Sequence, residues 1–308
     1  MARNRIGLAL GSGSARGMSH IGIIESLIEI GLEPAIVCGS SIGALVGAAY
    51  VAGRLPELRQ WAETATWREV LGLMHVRLSG GGLIDGKNVI AFLRRLGIDA
   101  PIEGYAKKFA AVATDLETGR EVWLRSGPID EAVRASITVP GILSPERIDG
   151  KWLLDGGLSN PVPVSLCRAL GAEVVIAVNL NGDLLSRHRE SGSAAPAESM
   201  PARAEHEFLG RVLSQLPAAL RDQAAQIAQH LMPQEASAPG YFDVLTTSLS
   251  IMQEHVTQAR LAREPAEVML VPRLRDFGLM EFGRSKEAIA AGRASVEEAL
   301  PQLRRYAD

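Results

Sequence analysis

Short apolar runs alternate with helix-period stretches from the start of the chain. Ile6, Leu8 and Leu10 alternate as a buried strand does, and Gly11 to Gly17 follow as a glycine-rich turn. Ile21, Ile24, Leu27 and Ile28 then recur at helical spacing, and Gly31 stops that helix as a C-terminal cap. Ile36 to Cys38 form a second strand and Ala44 to Ala52 a second helix. Leu58 to Met74 is amphipathic, with Trp61, Trp67, Val70 and Leu71 on its apolar side. Phe109–Ala113 and Glu121–Leu124 read as adjoining strands and Lys151–Leu154 as another. Val174–Val178 is a continuous apolar run of the kind buried on both faces. Strand and helix in alternation predict an α/β fold: a three-layer α/β/α sandwich around a mainly parallel central sheet.

Beyond residue 180 the pattern changes. Residues 181–204, rich in Ser, Ala and Pro in their second half, carry no apolar period and read as a loop or linker. In the extension over 205–308, Phe208, Val212, Leu216 and Leu220 sit four apart. Phe242, Leu245, Leu249, Met252, Val256 and Ala259 alternate spacings of three and four. Both predict one-sided helices, lying with that stripe on the core or serving as a lid or lipid-facing surface. Val268–Val271 is a late strand and Ser285–Leu303 a last helix, so the expectation is one domain over 1–308 whose tail rejoins the core of 5–180.

Two segments resemble targeting signals. Arg3 and Arg5 precede an apolar run, but Ile6–Leu10 is shorter than a signal peptide's apolar region. Residues 35–53 carry no charge, yet Gly39-Ser40-Ser41 interrupts them, and strand, turn, helix is the better parse. The expectation is a cytoplasmic protein. Composition narrows the function classes. The net charge of -3, with 32 Lys and Arg against 35 Asp and Glu, argues against nucleic acid as a partner. Two cysteines, Cys38 and Cys167, exclude a disulfide framework and zinc-finger spacing, and no metal site is expected.

Two turns carry candidate chemistry. Gly39-Ser40-Ser41-Ile42-Gly43 is G-x-S-x-G between a strand and a helix, where a nucleophile stands on a strained backbone and Gly39 and Gly43 permit close packing. A plain strand-to-helix turn capped by Ser40 or Ser41 fits the same residues. The other turn, Gly11 to Gly17, is neither a G-x-G-x-x-G dinucleotide loop nor a P-loop. Both turns leave carboxyl ends of consecutive strands, so in a parallel sheet they share an edge, and backbone N–H groups of the first could face a carbonyl attacked by Ser41. No histidine suits the role of base: His20 lies in a helix, His75 precedes any later acid, and His188, His206, His230 and His255 fall in or near the linker and late helices. Asp155-Gly156-Gly157, at the end of the strand through Leu154, offers a carboxylate at a strand end or a simple Asx turn.

Taken together these residues resemble the patatin-like phospholipases, in the bacterial, RssA-like branch related to neuropathy target esterase. The resemblance rests on Ser12-Gly13-Ser14-Ala15-Arg16-Gly17, on Gly39 to Gly43 and on Asp155-Gly156-Gly157, with Asn160-Pro161-Val162-Pro163 in context. It covers about residues 5–180 and, more weakly, 264–294. It implies a cofactor-free serine esterase or lipid acyl hydrolase, of lysophospholipase or phospholipase A type, working through a Ser–Asp dyad. Ser41 would be the nucleophile and Asp155 the base; amides near Ser12, Gly13 and Ser14 would bind the oxyanion, with Arg16 and Gly17 holding that loop or, for Arg16, facing an anionic substrate. The implied substrate is a lipid or acyl ester, with peripheral membrane contact. Acyl transfer or thioester hydrolysis on the same site, and a silent lipid-binding module, are the alternatives. The family's loop commonly has glycine where this chain has Ser12 and Ser14, and a serine held at positive φ costs about 1 kcal/mol.

Overall fold

A computed structural model describes residues 5–73, 86–183, 210 and 241–307. Residues 184–204 of the linker, all but residue 210 of the helix expected at Phe208–Leu220, and His75, His188, His206 and His230 lie outside the described residues.

The described strands form one mixed sheet. β1 (Ile6–Leu10) lies between β2 (Ile36–Ser40) and β7 (Val174–Val178), parallel to both. β2 continues in parallel to β3 (Lys108–Asp115), and β7 to β8 (Val268–Leu270), the late strand of the tail. Three short strands run antiparallel: β4 (Glu121–Leu124) and β6 (Lys151–Asp155) on β3, and β5 (Glu146–Ile148) on β6.

Alternation along the strands divides the core in two. Leu8, Leu10, Val37, Phe109, Ile176 and Val178 face a large cluster completed by α1 (Ser19–Glu29), α2 (Ile42–Val51) and α9 (Ser285–Leu303). Ala9, Cys38, Ala110, Val112, Val175 and Ala177 face a smaller one closed by Val164, Leu166 and Cys167 of α7 (Val164–Ala169). Helix, sheet, helix is the three-layer arrangement the alternation predicted. Its second layer requires small side chains, and both cysteines are buried there as free thiols.

Around the site, the amphipathic stretch expected from 58 to 74 is two helices, α3 (Leu55–Thr64) and α4 (Trp67–Leu73). Thr66 and Glu69 explain the break: the Thr66 N–H donates to the Glu69 carboxylate and the Glu69 N–H to the Thr66 hydroxyl, a capping box that starts a new helix. α5 (Lys87–Arg95) and α6 (Ile129–Ser136) complete the wall on that side.

The late helix α8 (Tyr241–Leu261) departs further from expectation. It buries Thr246, Ser250, Glu254 and Thr257, while Val244, Ile251 and Met252 are exposed. Of the apolar stripe expected to face one way, Leu245, Leu249 and Val256 are half-buried and Met252 and Ala259 exposed. The polar residues turn inward because buried polar groups await them: Arg16 for Ser250, Asn179 for Glu254.

Candidate active site

Strand pairing brings the two turns and the acid together. β2 and β4 both pair with Ala111 and Val112 of β3, so they lie on opposite edges of it. β6 and β4 both pair with Ala113 and Thr114, so they too lie on opposite edges. β2 and β6 therefore share one edge of β3 and meet end to end, Ser40 opposite Val112 and Asp155 opposite Ala113. The residue after β2 is Ser41, and its hydroxyl donates to Asp155 Oδ2 at 2.6 Å. Ser41 holds φ 56° and ψ −124°, the strained elbow that lifts its side chain off the strand while starting α2. Gly43 makes that turn possible, since a Cβ there would strike the carbonyl oxygen of Leu10.

The other carboxylate oxygen, Asp155 Oδ1, accepts the Gly157 N–H at 2.7 Å, so the Asx-type turn and the contact with Ser41 coexist in one residue. Gly156 packs against the backbone of Val112 with no room for a side chain. Thr114 Oγ1 donates to the Asp155 carbonyl, and the Asp155 N–H donates to the Thr138 carbonyl. Burial pushes the Asp155 carboxyl up to about 6, while the bonds from Ser41 and Gly157 hold it down.

The loop after β1 is fixed at both ends. The Gly11 N–H donates to Val178 O, that of Ser12 to Pro161 O and that of Ala15 to Leu279 O. The Ser12 amide is thus committed within the protein, which removes it from the set of amides the resemblance offered to an oxyanion. The amides of Gly13 and Ser14 have no acceptor among the described residues, and both residues line the cavity beside Ser41. Ser14 sits at φ 51°, so the serine at this position carries the strain that glycine would avoid. Gly17 lies so close to Ile42 that a side chain there would collide, which locks the loop to the elbow.

Arg16 does not reach the cavity. It is fully buried, and its guanidinium donates to the Leu180 carbonyl and to Ser250 Oγ of α8, an arrangement that holds the loop. With no carboxylate among the described residues bonded to it, burial lowers its pKa to about 10. His20 is also buried; its Nε2 donates to Gly11 O, and burial pulls its pKa down to about 4, so the ring is neutral and supports the same loop.

Sequence reasoning missed two contributors. Ser136, the last residue of α6, accepts the Ser41 N–H at 2.9 Å, which occupies the elbow's own amide. Gln253 of α8 accepts from Ser12 Oγ at 2.9 Å and from Asn181 Nδ2 at 3.2 Å. Gln253, 241 residues from Ser12, left no local signal; Ser136, 95 residues from Ser41, stands in Ala135 to Gly141, a stretch that shares in the patatin-like resemblance, but nothing in it pointed to this contact.

All of this opens on a cavity of about 180 Å³. Ser41, Asp155, Ser12 and Gln253 stand at its polar end; Leu45, Trp61, Val89, Phe92, Ile142 and Leu279 are among its apolar walls. Trp61 and Phe92 pack with ring centroids 4.6 Å apart. No cluster of His, Cys, Asp or Glu among the described residues has the arrangement of a metal site. None of the helices among them is long and apolar enough to cross a membrane.

Ser41 at a strained strand-to-helix turn and Asp155 at a strand end thus meet on one edge of a three-layer sheet. Residues 8–168 match the family model for patatin-like phospholipase, and the chain belongs to that family. Uncharacterized NTE family proteins of Mycobacterium bovis and Mycobacterium tuberculosis are 35% identical over 96% of this chain and 91% of theirs. Patatin-like phospholipase domain-containing protein 6 of Mus musculus is 34% identical over 58% of this chain, which corresponds to 14% of that protein. The crystal structure of VipD from Legionella pneumophila aligns with a TM-score of 0.45 at 14% identity, over 97% of this chain and 67% of that one.

Proposed function

We propose that the protein is a serine esterase of lysophospholipase or phospholipase A type that uses Ser41 and Asp155 as a dyad. The observation that carries this is the 2.6 Å bond from Ser41 Oγ to a buried carboxylate in the lining of a largely apolar cavity. Asp155 takes the hydroxyl proton as Oγ bonds to the acyl carbon, and the Gly13 and Ser14 amides receive the oxygen that becomes negative. The bond to the alcohol oxygen then breaks, and that oxygen leaves with the proton from Asp155. Water repeats the sequence: its oxygen bonds to the acyl carbon, its proton passes through Asp155 to Oγ, and the fatty acid departs. An aspartate at its ordinary pKa is a weak base for a hydroxyl; one raised by burial is better matched to the task. The apolar walls suit an acyl chain, and burying each methylene contributes about 0.8 kcal/mol.

The test is a fluorophosphonate probe with the labelled residue mapped by mass spectrometry, alongside turnover of p-nitrophenyl esters. Label on Ser41 is expected, with turnover falling about a thousandfold or more in Ser41→Ala and Asp155→Asn. A folded wild-type protein that takes no label and hydrolyses no ester would refute the assignment.

A further inference from the structure

Helix α8 is docked by contacts that use one end of the Gln253 carboxamide and leave the other unexplained. Its Oε1 accepts two hydrogen bonds, from Ser12 and Asn181. Its Nε2 has no acceptor among the described residues, and the side chain lines the cavity. A Cβ built on Gly157 would collide with this nitrogen and lie 2.9 Å from Asp155 Oδ1, so amide and carboxylate flank the same spot. Docking does not require the nitrogen: Ser250 to Arg16 and Glu254 to Asn179 already hold α8 in place.

The acyl carbon carries two oxygens that the site must handle differently. One becomes the oxyanion and faces the Gly13 and Ser14 amides. The other leaves as the alcohol or arrives as water, and it must lie within reach of Asp155, which gives it a proton or takes one. A donor that flanks Asp155, as Gln253 Nε2 does across Gly157, therefore meets this second oxygen. We propose that Gln253 is a substrate-contacting residue: with Oε1 held by Ser12 and Asn181, its Nε2 donates a hydrogen bond to the departing or entering oxygen. This rests on the esterase reading above, and it assigns α8 a part in the chemistry as well as in the fold.

Gln253→Glu keeps an acceptor for Ser12 and Asn181 and removes the donor; Gln253→Met removes both without adding charge. Each would be measured on p-nitrophenyl laurate and on glyceryl monolaurate, with melting temperatures alongside. Nitrophenolate departs without assistance, whereas an alkoxide needs it. Loss of the donor is thus expected to lower kcat/KM on the glyceryl ester at least about tenfold more than on the nitrophenyl ester. Equal losses on the two esters in the folded variants, or no loss, overturn the proposal. Exposed Met252→Ala serves as the control on α8. Should wild type hydrolyse neither ester, the esterase reading fails by itself. Laurate binding, followed through the fluorescence of Trp61 in the cavity wall, then decides on Gln253. Affinity reduced about tenfold in Gln253→Met supports the contact, and unchanged affinity removes it.

Discussion

Two helices close over the same serine and aspartate, and they are held by opposite physics. α2 buries all ten of its residues, and none of them is charged. α8 buries Thr246, Ser250, Glu254 and Thr257 and leaves Val244, Ile251 and Met252 in solvent. The first is fixed by shape, through contacts too close for any added atom. The second is fixed by hydrogen bonds to partners that would be costly to leave unpaired. An apolar period shows that a segment is helical; which side faces inward depends on what is already waiting there.

The sharpest way to break this contrast is at Gly43, where α2 touches the Leu10 carbonyl. Gly43→Val is expected to cost more than about 3 kcal/mol, read as insoluble expression or a large fall in melting temperature, because backbone cannot yield as a side chain does. A mild effect would mean that the elbow has slack.

Asp155, which touches Ser41 at the head of α2 and faces Gln253 on α8, comes next. Its folded pKa of about 6 lies above the ordinary value of 3.8, so folding takes up a proton between those values. The stabilisation is full below about pH 4 and is lost as pH rises through 6, leaving an ionised buried carboxylate that costs about 3 kcal/mol at neutral pH. Asp155→Asn is therefore expected to be inactive yet more stable than wild type at about pH 8, with the gain fading towards pH 4. For wild type, kcat/KM is expected to rise with pH through about 6, as the base loses its proton. A lower melting temperature for the variant at every pH would show that the carboxylate serves mainly as a structural acceptor.

On α8, Ser250→Ala removes one of the two acceptors that the Arg16 guanidinium has among the described residues. A loss of about 1–3 kcal/mol is expected in denaturant unfolding, since the charge stays buried. The smallest effect belongs to the outer side: Met252→Ser is expected to change stability by less than about 0.5 kcal/mol. A larger loss would mean that this side is covered.

What could be read from the residues followed their range. Strand and helix alternation is local, so the sandwich and most of its strands were visible in it. Gly39 to Gly43, Gly11 to Gly17 and Asp155 to Gly157 each occupy one turn, and turns announce themselves through glycine. The commitment of the Ser12 amide to Pro161 could not be read, because it depends on a segment about 150 residues away. Ser136 and Gln253 were hidden for the same reason. The face presented by α8 was obscured by a fully buried arginine that the sequence displays as an ordinary charged residue. Thr66-Trp67-Arg68-Glu69 was there to be seen, and it divides one expected helix into two.

The end-to-end meeting of β2 and β6 sets a tolerance on the reaction. Only three residue pairs align β6 on β3, Ala113 with Asp155, Thr114 with Leu154 and Asp115 with Leu153. Sliding that ladder by a single residue would turn the carboxylate to the opposite side of the sheet. The proton's path from Ser41 thus works like a vernier, its gap set by the indexing of one short strand against another.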